Sequence, residues 1–146
     1  MQHTDRDEIL KLLNRYSFTL DSGDLDGFAE LFAHGEWGME GRMHQGKEAL
    51  LAGVRSTVLL QSDRTSKTRH MFTNIQLEIN NEASIATCKR YGLVVQQTAD
   101  LPLKPIFSAD YFDTFAKEED VWRFKKCELK RAFVGDLSHQ FSQEVS

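Results

Sequence analysis

The chain has 146 residues, of which 40% are hydrophobic and 27% charged, with only 2 Pro and 2 Cys. That length suits one domain, so residues 1–146 read as a single unit with an ordered core over about 5–134 and a tail over 135–146. A two-domain enzyme and a disordered chain are both excluded. A chain of this size hides ~68–70% of its unfolded surface, enough for a core that encloses a cavity. Eighteen Lys and Arg against 22 Asp and Glu give a net charge of -4, which speaks against a nucleic-acid partner.

Thr4 and Asp7 mark a helix start, and Ile9, Leu12, Leu13, Tyr16 and Leu20 then recur at helical spacing. The pattern predicts a helix from about Asp5 to Leu20. Asp21-Ser22-Gly23-Asp24 breaks it, and Asp24 can cap a short second helix carrying Leu25, Phe28, Leu31 and Phe32. Gly35 to Gly46 reads as irregular or as a short strand around Trp37 and Met39. A third helix is predicted from about Lys47 to Leu60, with Leu50, Leu51, Val54 and Val58 inward. Gln61 to Thr68 is a polar connection.

Beyond it the period changes to two. Arg69–Ile79, Ser84–Gln97, Ile106–Phe115 and Val121–Phe133 are long, alternating and rich in β-branched or aromatic residues. Asn80-Asn81 and Lys117 to Asp120 turn two hairpins, and Asp100 to Pro105 links the middle pair. Helices first and then an antiparallel meander give an α+β fold with three N-terminal helices on one sheet face. Strands of this length must coil, so the sheet is predicted to curve into a cone around a pocket.

Cys88 and Cys127 stand apart in sequence, and no Cys/His group has ligand spacing, so no metal is expected. Unclustered thiols suit a reducing compartment and leave a single disulfide open. The N-terminus lacks the apolar stretch of a signal peptide, and no run approaches a membrane span. These features predict a soluble, cytoplasmic protein with no membrane partner. The glycine-rich run Gly35 to Gly41 follows no predicted strand and opens no helix, so it is not a phosphate loop. His34 and His44 have no ligand-spaced partners and are expected to be solvated.

Three segments together resemble the SnoaL-like family of the nuclear transport factor 2-like superfamily. They are Leu20-Asp21-Ser22-Gly23-Asp24-Leu25-Asp26-Gly27-Phe28, Thr68-Arg69-His70-Met71-Phe72-Thr73-Asn74, and Asp120-Val121-Trp122-Arg123-Phe124. The resemblance spans Asp5 to Phe133 and is nearest to scytalone dehydratase and hexachlorocyclohexane dehydrochlorinase. It implies a cone-shaped α+β barrel. It also implies that Asp21, ending the first helix, holds His70, on the first long strand, as a general base. The chemistry is sound on its own terms. Imidazole titrates near neutrality, and a carboxylate on one ring nitrogen fixes the tautomer.

The same matching makes Ser108 and Asp110 substrate-oxygen contacts, although an Asp stands where scytalone dehydratase has Asn. Tyr16 stands where the dehydrochlorinase has a Lys. Trp37, Phe72 and Tyr91 complete the candidate substrate-binding set. No His stands on the second strand, where scytalone dehydratase has one; Arg90 to Val94 occupy the region. One feature of the first strand resists this assignment. Met71, Ile75, Leu77 and Ile79 share one parity, and His70, Phe72, Asn74 and Gln76 the other. Either a second subunit covers the outer face or a bulge resets the parity; the first is favoured, because an uncovered face would be a large apolar patch.

The functional expectation is a cofactor-free lyase or isomerase acting on a small, mostly apolar cyclic compound, dehydratase-like in its chemistry. The alternative is a non-catalytic ligand-binding or assembly subunit, like the small subunits of ring-hydroxylating oxygenases. A homo-oligomer, dimer or trimer, is expected either way. Contact between Asp21 and His70 inside an unfilled pocket discriminates the two.

Overall fold

The computed structural model describes residues 4–141. Helix α1 runs Asp5–Ser22, α2 Leu25–Glu30 and α3 Lys47–Thr57. Thr4 caps α1 reciprocally: its hydroxyl accepts from the Asp7 amide, and the Asp7 carboxylate accepts from the Thr4 amide. Gly23 ends the helix in the left-handed conformation at φ 78°, and its amide donates back to the last turn. A β-carbon there would lie 2.1 Å from the Arg64 carbonyl oxygen, so the chain needs glycine at that crossing. Ile9, Leu13, Tyr16 and Leu20 form the buried stripe, as the helical spacing predicts.

The strands are β1 Glu36–Met39, β2 Arg42–Gln45, β3 Thr68–Asn80, β4 Ile85–Gln96, β5 Lys104–Glu118 and β6 Val121–Val134. They form one sheet in the order β2-β1-β6-β5-β4-β3. The four long strands make the predicted meander. The segment Gly35 to Gly46 contributes more than expected: β1 and β2 form a hairpin that joins the sheet, with β1 parallel to β6. The sheet therefore has six strands and is open, with β2 and β3 at its ends. Helix α1 packs on both β3 and β6, so the sheet wraps around it. The core lies between, built from α1, α2 and the inner sheet face.

The parity conflict on β3 is resolved by a bulge, not by a covering subunit. The pairing of β3 with β4 shifts between Thr73 and Gln76, so that Asn74 and Ile75 together stand opposite Arg90. Asn74 takes φ 56°, the left-handed conformation that asparagine tolerates. Before the bulge His70 and Phe72 face inward; after it Ile75, Leu77 and Ile79 do. Met71 is left on the outer face, exposed.

The segment after β6 also departs from a loose tail. Val58 bridges Phe141, the Leu59 amide donates to the Gln140 carbonyl at 2.8 Å, and Gln140 is buried. No helix among the described residues is long and apolar enough to cross a membrane. Cys88 and Cys127 are free and buried on either side of Asp113 in the strand register.

Candidate active site

Asp21 sits in the last turn of α1, where the Gly23 cap turns the chain away and leaves the carboxylate against the start of β3. Three donors reach it. The Thr68 hydroxyl donates to Oδ1 at 2.8 Å, the His70 amide to Oδ2 at 3.0 Å, and the His70 ring Nδ1 lies 2.6 Å from Oδ1. Both side chains are withdrawn from solvent, at 9% exposure for His70 and 6% for Asp21. A carboxylate so placed takes the proton-bearing form of Nδ1, which leaves Nε2 as the free acceptor.

Ser66 and Thr68 extend the chain. Their hydroxyls lie 2.5 Å apart. Thr68 spends its proton on Asp21, so Ser66 is the donor in that contact. Sequence reasoning missed both residues. The available signal was spacing: Thr68 precedes His70 by two positions and shares its strand face.

His70 borders a cavity of about 400 Å³. Its walls are mainly apolar, with Val54, Val58, Val94, Ile106, Phe107 and Leu129 among them. Tyr16 and Trp37 line it, and the Trp37 indole Nε1 donates to the Tyr16 hydroxyl at 2.9 Å. Burial holds the Tyr16 hydroxyl well above its ordinary pKa, with Tyr111 and Cys127 adding to the effect and Arg90 and the Trp37 bond opposing it. Tyr16 is therefore a neutral O–H group whose oxygen accepts from Trp37 and whose hydroxyl also interacts with the Tyr111 side chain.

The other predicted contacts fall elsewhere. Phe72 packs behind the wall, edge-on to Tyr16 and Tyr111. Ser108, Asp110 and Tyr91 do not border the cavity. The pleat of β5 turns Ala109 and Tyr111 inward and leaves Ser108 and Asp110 on the outer face, where the Ser108 hydroxyl donates to the Gly92 carbonyl at 2.8 Å. Tyr91 stands opposite Asp110 on that same outer face. The β5 residues that do border the cavity are Ile106, Phe107 and Tyr111.

Sequence reasoning also missed the polar rim. Glu40, Arg42, His44 and Arg131 border the cavity, with Arg131 forked onto Glu40 at 3.1 and 2.9 Å. Arg131, through its guanidinium and its backbone amide, holds the Glu40 carboxyl down at about 2. His44, expected to be solvated, stacks on Trp37 with ring centres 6.2 Å apart. Leu137, Gln140 and Phe141 close the wall from the segment after β6. Among the described residues no group of three or more His, Cys, Asp and Glu is placed to hold a metal ion.

The SnoaL-like domain model matches residues 1–128. The chain belongs to the SnoaL-like family. No curated protein matches it. Among solved structures, a scytalone dehydratase-like protein from Novosphingobium aromaticivorans is similar at 25% identity, with 90% of this chain and 87% of that one covered and a TM-score of 0.70. A hexachlorocyclohexane dehydrochlorinase from Novosphingobium barchaimii gives 20% identity, 88% and 87% coverage and a TM-score of 0.68. A nuclear transport factor 2-like protein with a cystatin-like fold, also from N. aromaticivorans, gives 23%, 87% and 81%, and 0.72. The latter two show that this SnoaL-like chain shares their fold.

Proposed function

We propose that this SnoaL-like protein is a cofactor-free lyase or isomerase that removes a proton from a small, mostly apolar cyclic compound. One observation carries the reading: the Asp21-bound imidazole of His70 borders an unfilled, largely apolar cavity. A binding or assembly subunit has no need of a buried carboxylate fixing one tautomer of a cavity histidine.

The step begins with His70 Nε2 taking a proton from a carbon beside an electron-withdrawing carbonyl. The C–H electron pair becomes part of an enolate, and its charge collects on the substrate oxygen. The Tyr16 hydroxyl donates to that oxygen. Collapse of the enolate then expels a β-hydroxyl as water, with the imidazolium proton leaving on it, or returns the proton at a different carbon and shifts the double bond. Asp21 stabilises the imidazolium as it forms. General-base catalysis supplies ~10²–10⁴-fold, and positioning in the largely apolar cavity supplies the rest.

The test is turnover of cyclic β-hydroxy ketones and cyclic enones, followed by ultraviolet absorbance on wild type and His70→Ala. The variant should keep its unfolding midpoint, because Thr68 and the position 70 amide still satisfy Asp21. It should lose at least ~10²-fold in kcat/KM. Equal turnover by the two proteins would remove His70 from the chemistry.

A further inference from the structure

The inner face of the sheet holds a second buried ionic group that the base chemistry does not use. Arg90 on β4 and Asp113 on β5 are fully buried, and they are joined by two hydrogen bonds, from Nε at 2.7 Å and Nη2 at 3.0 Å. Nη2 also approaches the Cys127 sulfur at 3.8 Å, and Nη1 has no hydrogen-bond partner. The guanidinium is instead caged by rings, 3.9 Å from the centre of Phe72, 4.7 Å from Tyr111 and 5.2 Å from Tyr16. A buried ion pair is commonly no more stabilising than apolar side chains of similar volume, so packing alone does not account for it.

The strand register gives the pair a direction. Cys88, Asp113 and Cys127 form one row across β4, β5 and β6. Two residues on, Arg90, Tyr111 and Leu129 form the next, and Gly92, Ala109 and Arg131 the one after. The cavity begins at the Arg90 row, with Tyr111 and Leu129, and runs on to Val94 and Phe107. The carboxylate row lies on the far side. The positive end of the pair therefore points at the cavity floor, behind the rings of Tyr16 and Tyr111. Burial pushes both tyrosine hydroxyls up, and Arg90 pulls both down.

We infer that the Arg90–Asp113 pair is a fixed dipole that makes the Tyr16 end of the cavity an oxyanion site, selecting ligands with an acidic enol or phenol hydroxyl and holding them as the anion. This rests on the proposed proton abstraction, since an enolate is such an anion. Arg90 touches no substrate in this arrangement. It is a positioning residue acting through Tyr16 and Tyr111, and the low-dielectric surroundings leave its field unscreened.

The probe is 4-nitrophenol, whose anion alone absorbs visible light, with 4-nitroanisole as the neutral control. Bound to wild type, the probe's anion-to-neutral ratio should rise about tenfold over that in water at the same pH, as a nearby cation dictates. In the double variant Arg90→Met, Asp113→Leu the ratio should return to the free value, while 4-nitroanisole affinity stays within about twofold. Arg131→Gln, which discharges one of the two guanidinium groups that border the cavity, should keep most of the rise. A wild-type ratio no higher than in water, no saturable binding, or a rise that Arg131→Gln abolishes would each overturn the inference, whether or not the double variant folds. The two proposals separate cleanly. An absent anion preference with His70-dependent turnover removes the dipole alone. A preserved preference without His70-dependent turnover removes only the base.

Discussion

Gly92 shows how a single side chain, or its absence, shapes this cavity. It stands on β4 opposite Ala109, and a β-carbon there would lie 2.3 Å from Tyr111 Cε1 and 3.0 Å from Phe72 Cε1. Both rings also face the buried Arg90, so neither can swing away freely. Gly92→Ala should cost about 1–3 kcal/mol through overpacking, seen as a lower denaturant midpoint at unchanged slope. An unchanged midpoint would mean that Tyr111 has room to move. The same scale shows what sequence could and could not reveal. Asp21 and His70 were legible as a pair through the resemblance to the SnoaL-like family; the helix-breaking run and the strand start only placed each of them. Ser108 and Asp110 were misplaced because alternation tells which residues share a face, not which face is inside. Tyr111, the inward neighbour, was chemically as plausible and had no motif to mark it.

At the scale of elements, the bulge in β3 decides the site. Without an extra residue, the strand could not turn His70 and Phe72 inward at one end and Ile75, Leu77 and Ile79 inward at the other. The conflict in parity was visible in the sequence, and its solution was not, because Asn74 is as ordinary in a turn as in a bulge. Asn74 is held at φ 56°, where a β-branched side chain is strongly disfavoured. Asn74→Val should therefore lower stability by about 1–2 kcal/mol, and Asn74→Gly should leave it equal or slightly higher, in thermal or denaturant unfolding. Equal stability of the Val and Gly variants would show that the bulge is not set by that residue. The β1–β2 hairpin escaped prediction for a related reason. Its strands are four residues each, and its Glu40-Gly41 turn, with both residues at positive φ, lacks the Asn or Asp that usually signals such a turn.

The whole molecule has one side that its own chain leaves open. Helices α1 and α2 cover the inner sheet face, and the bulge removes the need for a subunit to explain His70. The outer face nevertheless carries apolar residues in register. Met71 pairs with Leu93, Leu93 with Ser108, and Ser108 with Phe133, a row running across β3, β4, β5 and β6. Tyr91 flanks it at 49% exposure, and Phe133 is 76% exposed. Scattered apolar residues are normal on a surface, whereas a contiguous apolar row on a sheet face suits an interface. Ser108 within this row, and Asp110 in register with Lys130 beside it, supply its polar groups. The chain should therefore run as a dimer or trimer at micromolar concentration in size-exclusion chromatography with light scattering. Leu93→Glu combined with Phe133→Glu should shift it to monomer with an unchanged circular dichroism spectrum, because both side chains point away from the core and two charges in a desolvated interface cost several kcal/mol. The cavity lies on the opposite side of the sheet, so the monomeric variant should still bind 4-nitroanisole. A wild type that stays monomeric at the highest attainable concentration would show that this row has no partner in a second copy.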